Sequence, residues 1–309
     1  MRVFDAASTR AALPFARLIP ALQALFAVGC TMPPRHVHEI VAPGGGSLNS
    51  LIMPAWTTGG YYGVKVVNIA PGNAARGLPG LHASYLLFDA LTGVPLALID
   101  GGEITARRTA AASALAASWL ARADAKHLLV VGAGRVARLL PKAHGAVRNL
   151  EKVTVWARAF DQADALADEW RGRGIAAVAT RDLEAAANAA DIVSCATLAT
   201  APVVHGEWLR EGSHLDLIGS FTPAMREADD ACFAGAALYV DDEEALRKSG
   251  DLLGPMSRGV FGAADLRGTL ATLARGEAGG RRTEVERTVF KSVGMALEDL
   301  AAAILVYES

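Results

Sequence analysis

The chain has 309 residues, 52% of them hydrophobic, which is enough for two domains with separate cores. Thirty Lys and Arg against 32 Asp and Glu leave a formal charge of −2, so no bulk field draws it to nucleic acid or an anionic membrane. Three scattered cysteines, Cys30, Cys195 and Cys232, match neither a disulfide framework nor a zinc site; they read as buried free thiols, a cytoplasmic pattern, and no metal is expected.

Residues 18–30 superficially resemble a signal peptide ending in a lipid-modified cysteine. Asp5 before the stretch, Pro20 and Gln23 within it, and the helical spacing of Leu18, Leu22, Leu25 and Phe26 favour an amphipathic first helix. No apolar run reaches the about 20 residues of a transmembrane helix. Pro33-Pro34 and Gly44-Gly45-Gly46 mark turns around an extended segment, 35–41. Residues 48–53, 61–69 and 84–91 are apolar and aromatic runs bounded by Gly, Pro or Asn, and 95–99 follows the turn ending at Gly93. Strands with no helices between them predict an antiparallel or mixed sheet. A long alanine-rich helix is expected over 104–122, with Thr105 as a candidate N-cap.

From His127 the rhythm changes to strand and helix in alternation. Strands are expected at 128–131, 153–156, 176–178, 192–195, 214–218 and 238–240, with helices from the first strand's turn through Val147 and over 162–171. This alternation predicts a doubly wound parallel sheet. Residues 284–305 read as one long helix returning to the first domain.

The turn after the first of these strands is Gly132-Ala133-Gly134-Arg135-Val136-Ala137, the Gly-X-Gly-X-X-Gly/Ala pattern of a dinucleotide fold. Gly132 permits the tight turn, Gly134 lets the backbone approach a pyrophosphate, and Ala137 keeps the following segment close to the sheet. NAD enzymes usually end the second strand with an acid for the ribose 2′-hydroxyl. Here Trp156-Ala157-Arg158 stands there and the nearest acid is Asp161, so Arg158 is matched to a 2′-phosphate. NADP(H) is favoured, with NAD(H) possible.

The sequence resembles the ornithine cyclodeaminase/mu-crystallin family along nearly its whole length. The resemblance rests on Tyr62-Gly63-Val64-Lys65-Val66-Val67-Asn68, Gly77-Leu78-Pro79, Leu87-Phe88-Asp89 to Thr92-Gly93, and Arg108-Thr109-Ala110-Ala111. It continues through Gly219-Ser220, Tyr239-Val240-Asp241, Ser249-Gly250-Asp251 and Phe290-Lys291-Ser292-Val293-Gly294. It implies homodimers whose small imino- or amino-acid substrate lies against the nicotinamide. The implied architecture is α/β: a Rossmann-type doubly wound parallel sheet over 119–287 for NAD(P), plus an α+β substrate-binding and dimerisation domain of residues 1–118 and 288–309. It adds Thr109, Trp156, Ala196, Thr197, Gly219, Ser220, Lys291, Ser292 and Val293 to the cofactor residues.

Lys65 stands mid-strand among valines, an apolar setting in which a lysine's pKa falls, so it suits carboxylate binding or proton transfer. Arg108 lies on the alanine-rich helix and its planar fork suits a carboxylate; Arg107 is the adjacent competitor. Arg35 resembles the family's third substrate-binding cation. Met53 and His82 are further candidates for the substrate site, with Asn68 and Thr109 as polar or capping residues. Ordinary salt bridging is the alternative for each cation.

Where the cyclodeaminases and the alanine dehydrogenase group carry Gly-X-Asp, this chain has Gly219-Ser220-Phe221, and phenylalanine can neither take a proton nor pair with an ammonium. Asp216 lies too early in the strand to replace it. The expected activity is therefore NADPH-dependent reduction of a cyclic imine-carboxylate, with Lys65 as the catalytic residue. The alternatives are an NAD-dependent ornithine cyclodeaminase and a non-catalytic binding protein like mu-crystallin.

Overall fold

The computed structural model describes residues 1–41 and 46–309; Gly44 and Gly45 of the expected glycine turn lie outside the described residues. In chain order the elements are β1 (Arg2–Phe4), α1 (Ala6–Ala12), α2 (Phe15–Val28), β2 (His36–Val41), β3 (Ser47–Trp56), β4 (Tyr61–Ile69), β5 (Leu81–Asp89), β6 (Pro95–Asp100) and α3 (Gly101–Leu120). There follow β7 (His127–Val131), α4 (Leu140–His144), β8 (Lys152–Trp156), α5 (Phe160–Arg171), β9 (Ala177–Ala179), α6 (Leu183–Ala189), β10 (Ile192–Cys195) and β11 (His214–Leu217). The chain ends with β12 (Ala237–Val240), α7 (Ala245–Lys248), α8 (Gly250–Ser257), β13 (Leu266–Thr269), α9 (Leu270–Ala274), β14 (Thr288–Lys291) and α10 (Ala296–Tyr307). Two units form: Met1–Arg108 with Met295–Ser309, and Thr109–Gly294.

In the first unit six strands run in the order β1-β6-β5-β4-β3-β2. β1 is parallel to β6 and the other pairs are antiparallel, so the sheet is mixed. On β4 the residues Gly63, Lys65 and Val67 are buried while their neighbours are partly exposed, the alternation of a sheet covered on one face. The cover includes α2, whose Leu18, Leu22 and Phe26 are buried at helical spacing, and α10, which packs on α2, β3 and β4. No single described helix is long and apolar enough to cross a membrane. β1 and α1 precede the expected first helix, which occupies Phe15–Val28 and leaves Cys30 half-buried beyond it.

The second unit is an eight-stranded sheet in the order β13-β12-β14-β11-β10-β7-β8-β9, parallel at every pairing. Chain order reverses about β7, with β8 on one side and β10 on the other; this is the switch point at which doubly wound sheets open a crevice at their carboxyl ends. The strands are short apolar runs, and those of β7, β10, β11, β12 and β14 are buried almost throughout.

Three expectations are corrected. The long helix starts at Gly101, not Ile104, because Asp100 caps it by accepting from Glu103 N at 2.7 Å; the Thr105 hydroxyl instead donates back to Gly101 O. The segment after the glycine turn is a 3-10 turn, Ala137–Leu139, and the one-turn α4, not a helix through Val147; Pro141 has no N–H to continue the ladder. Residues 284–305 are not one helix: Thr288, Val289 and Phe290 form β14 inside the sheet, and Gly294 at φ 75° lies in the break before α10.

Candidate functional site

Parallel strands place their carboxyl ends on one edge. All but one of the expected cofactor residues end or follow strands that are neighbours in the sheet: Lys291, Ser292 and Val293 at β14, Gly219 and Ser220 after β11, and Ala196 and Thr197 after β10. The glycine turn 132–137 follows β7, and Trp156 and Arg158 close β8. Thr109 lies apart in sequence, on α3. Gly132 sits at φ 118°, and a Cβ there would meet Ala196 O at 2.6 Å. Gly134 faces open space, since a Cβ would meet nothing within 4 Å. Ala137 is fully buried beneath the turn. An exposed glycine backbone beside the switch point is a cradle that fits a dinucleotide's pyrophosphate.

These loops are held from behind by buried carboxylates. Glu227 accepts from Thr197 N at 2.6 Å, Thr197 Oγ1 at 2.8 Å and Gly219 N at 2.7 Å, so one side chain ties the β10 and β11 loops together. Gly219 must be glycine, for a Cβ would lie 1.8 Å from Thr197 O. Asp251 accepts from the backbone of Glu227 and Ala228 and lies 3.3 Å from Lys291 Nζ. Asp241 accepts from Val293 N and Gly294 N. Ser220 Oγ donates to Met225 O. The side chains of Lys291 and Ser220 are thus engaged within the protein and brace these loops. Burial raises Glu227 from 4.5 to about 7, against the lowering pull of Lys291, and raises Asp241 to about 6.

Trp156 lines a shallow cavity of about 710 Å³ with Asp182, Trp208 and Arg181, whose guanidinium stacks 3.8 Å over Phe160. Arg158 is exposed at the β8 end. Asp216 is buried in β11 and accepts from Ser194 Oγ, so it does not serve the turn that Phe221 occupies; Phe221 is 39% exposed.

The first unit holds a buried charge cluster. Lys65 Nζ lies 2.5 Å from Asp299 Oδ2, Arg108 Nε 2.9 Å from Asp299 Oδ1, and Arg108 Nη1 2.5 Å from Glu298 Oε2. Lys65 is 1%, Arg108 6%, and both acids 0% exposed. Burial lowers Lys65 from 10.5 to about 8, with Asp299 pulling it back up and Arg108 pushing it further down. Burial also opposes the Arg108 charge, but Asp299 and Glu298 outweigh it and its pKa is raised. Met53 faces Lys65 across β3 and β4 and is buried; Tyr85 faces it across β4 and β5, where Gly63 makes room for the ring. Arg107 points elsewhere, donating to Leu13 O and stacking on Phe15, which leaves Arg108 as the cation of the cluster.

One candidate lies outside it. His82 is exposed and pairs with Asn68, an odd number of residues from Lys65, which puts both on the opposite face of the sheet. Arg35 is half-buried just before the edge strand β2. Sequence reasoning missed Glu298, Asp299 and Glu227, and named Asp251 only within a family motif, without a role. The signal for the first two was an adjacent acidic pair in an otherwise apolar helix; Glu227 had none, since acids near turns are common.

Residues 15–309 match the ornithine cyclodeaminase/mu-crystallin family. The chain belongs to that family. Among the family's curated members it is 44% identical over 278 residues to Delta(1)-pyrroline-2-carboxylate reductase of Paracoccus denitrificans, covering 89% of this chain and 87% of that one. Among solved structures it is similar to Delta(1)-pyrroline-2-carboxylate reductase of Thermococcus litoralis in complex with NADH and L-proline. The TM-score is 0.93 at 35% identity, covering 100% of this chain and 97% of that one. It is also similar to an archaeal alanine dehydrogenase dimer with bound NAD, with a TM-score of 0.91 at 30% identity and coverage of 100% and 95%.

Proposed function

We propose that this chain reduces a cyclic imine-carboxylate with NADPH, converting Δ1-pyrroline-2-carboxylate to L-proline or Δ1-piperideine-2-carboxylate to L-pipecolate. The observation that carries the reading is the pair of buried cations, Lys65 and Arg108, on a chain whose Gly-X-Asp position holds Phe221. The reductases of Paracoccus denitrificans and Thermococcus litoralis support it. Arg158 supports NADP(H) over NAD(H), and the dimer of the archaeal alanine dehydrogenase supports a homodimer.

The glycine turn 132–137 would hold the dinucleotide, which would supply the hydride for the imine carbon. Arg108 and Lys65 hold the substrate carboxylate, since each uses only part of its donor set on Asp299 and Glu298. Protonated Lys65 places a proton on the imine nitrogen, directly or through an ordered water, which makes the carbon electrophilic. The Gly-X-Asp position, Phe221 here, offers no carboxylate to a substrate amine. With Lys65 acting as the acid, turnover holds below about pH 8 and falls above it. A kcat–pH profile checks this; a rate still rising beyond pH 9 contradicts it.

NADPH and NADH consumption with both imines, with ornithine as control, tests the function. Oxidation of NADPH by an imine is expected, and none from pH 5 to 9 contradicts the reading. Ammonia and proline from ornithine without net NADH would identify a cyclodeaminase. Dinucleotide binding without any turnover would identify a binding protein.

A further inference from the structure

Asp299 stands in the first turn of α10 and has no exposed surface. Its two oxygens serve two different cations: Oδ1 accepts from Arg108 Nε on α3, and Oδ2 meets Lys65 Nζ on β4. A carboxylate shared in this way fixes the spacing of two like charges that would otherwise repel each other in a medium of low dielectric. Glu298 Oε2 meets Arg108 Nη1.

Resting on the function proposed above, we propose that Asp299 is the positioning residue of the site: it keeps Lys65 protonated and orients Arg108 so that their remaining donors receive the substrate carboxylate.

The groups facing Lys65 are Asp299 and Glu298 from α10, Arg108 from α3 and the Tyr85 phenol from β5. Removing the charge of Asp299 leaves Lys65 beside Arg108 with its main counter-charge gone. The test is a ¹⁵N NMR titration of the Lys65 ammonium, assigned by its loss in Lys65→Ala. Wild type is expected to titrate near pH 8 and Asp299→Asn at least one unit lower. The alkaline limb of kcat for the imine should move by the same amount, and its KM should rise at least tenfold, with NADPH affinity unchanged.

An unmoved Lys65 titration in folded Asp299→Asn overturns the proposal, and so does an equal loss of NADPH affinity. The titration needs no substrate, so it separates failure of this inference from failure of the assigned reaction. If Asp299→Asn does not fold, Glu298→Gln decides. The proposal requires its Lys65 to titrate within half a unit of wild type, and a full-unit drop would assign the role to Glu298 instead.

Discussion

Lys65 and Arg158 carry the two chemical ends of the proposed reaction, and each can be removed without touching the other. Lys65→Ala is expected to abolish imine turnover while NADPH affinity, read by fluorescence titration, stays within about twofold. Parallel loss of both would make Lys65 a purely structural ion pair, the usual fate of one partner removed from a buried cluster. Arg158 is exposed, so its removal should leave stability unchanged. A charge-assisted hydrogen bond to a 2′-phosphate contributes about 1.5–3 kcal/mol. Arg158→Ala should therefore weaken NADPH binding roughly 10- to 100-fold and leave NADH alone; calorimetric titration with both dinucleotides distinguishes this from a surface arginine that contacts neither.

At the scale of elements, two glycines in strand-end loops differ in what they are for. A Cβ at Gly219 would lie 1.8 Å from Thr197 O, inside the joint that Glu227 ties, whereas one at Gly134 meets nothing. Gly219→Ala is expected to lower stability by about 1–3 kcal/mol or more, seen as a drop in melting temperature. Gly134→Ala should melt like wild type and lose dinucleotide affinity, because the methyl group occupies the path of the pyrophosphate. Equal melting of the two variants would contradict the Glu227 joint, and unchanged affinity in Gly134→Ala would contradict the cradle.

The strands of this unit were legible because each is a short apolar run with a turn behind it, and β10 occupies the residues expected from sequence. The elements misread were those where tertiary partners decide. β14 is a four-residue strand flanked by β11 and β12, and Pro141 at the start of α4 interrupts the ladder between it and the preceding 3-10 turn. In the charge cluster the cations were legible as charges in apolar surroundings. Their anions, more than 180 residues away along the chain from Arg108, were not, since nothing local pairs Asp299 with Lys65 or Arg108.

For the whole molecule, stability depends on pH through buried groups. Burial depresses His214 from 6.5 to about 3 beside Thr288. Between those values the unfolded chain binds a proton that the folded one refuses. The contribution is full above pH 6.5 and is lost as pH falls toward 3, at up to about 1.4 kcal/mol per pH unit. Glu227 runs the other way: raised to about 7 from 4.5, it favours the folded state at low pH and loses that contribution as pH rises through 7. Urea unfolding at pH 7 and pH 5 should show His214→Gln losing about 1–2 kcal/mol less than wild type on acidification. An identical loss would mean that His214 is charged in the folded protein.

The central claim is that the dinucleotide is consumed as a hydride donor to an imine carbon. Its most direct test is a turnover with NADPH deuterated at the transferable C4 position and Δ1-pyrroline-2-carboxylate, followed by mass spectrometry of the product. The account predicts L-proline carrying one deuterium at C2 and one NADP⁺ formed per proline. Unlabelled proline, or no proline while ornithine is converted without net change in the dinucleotide, would contradict it.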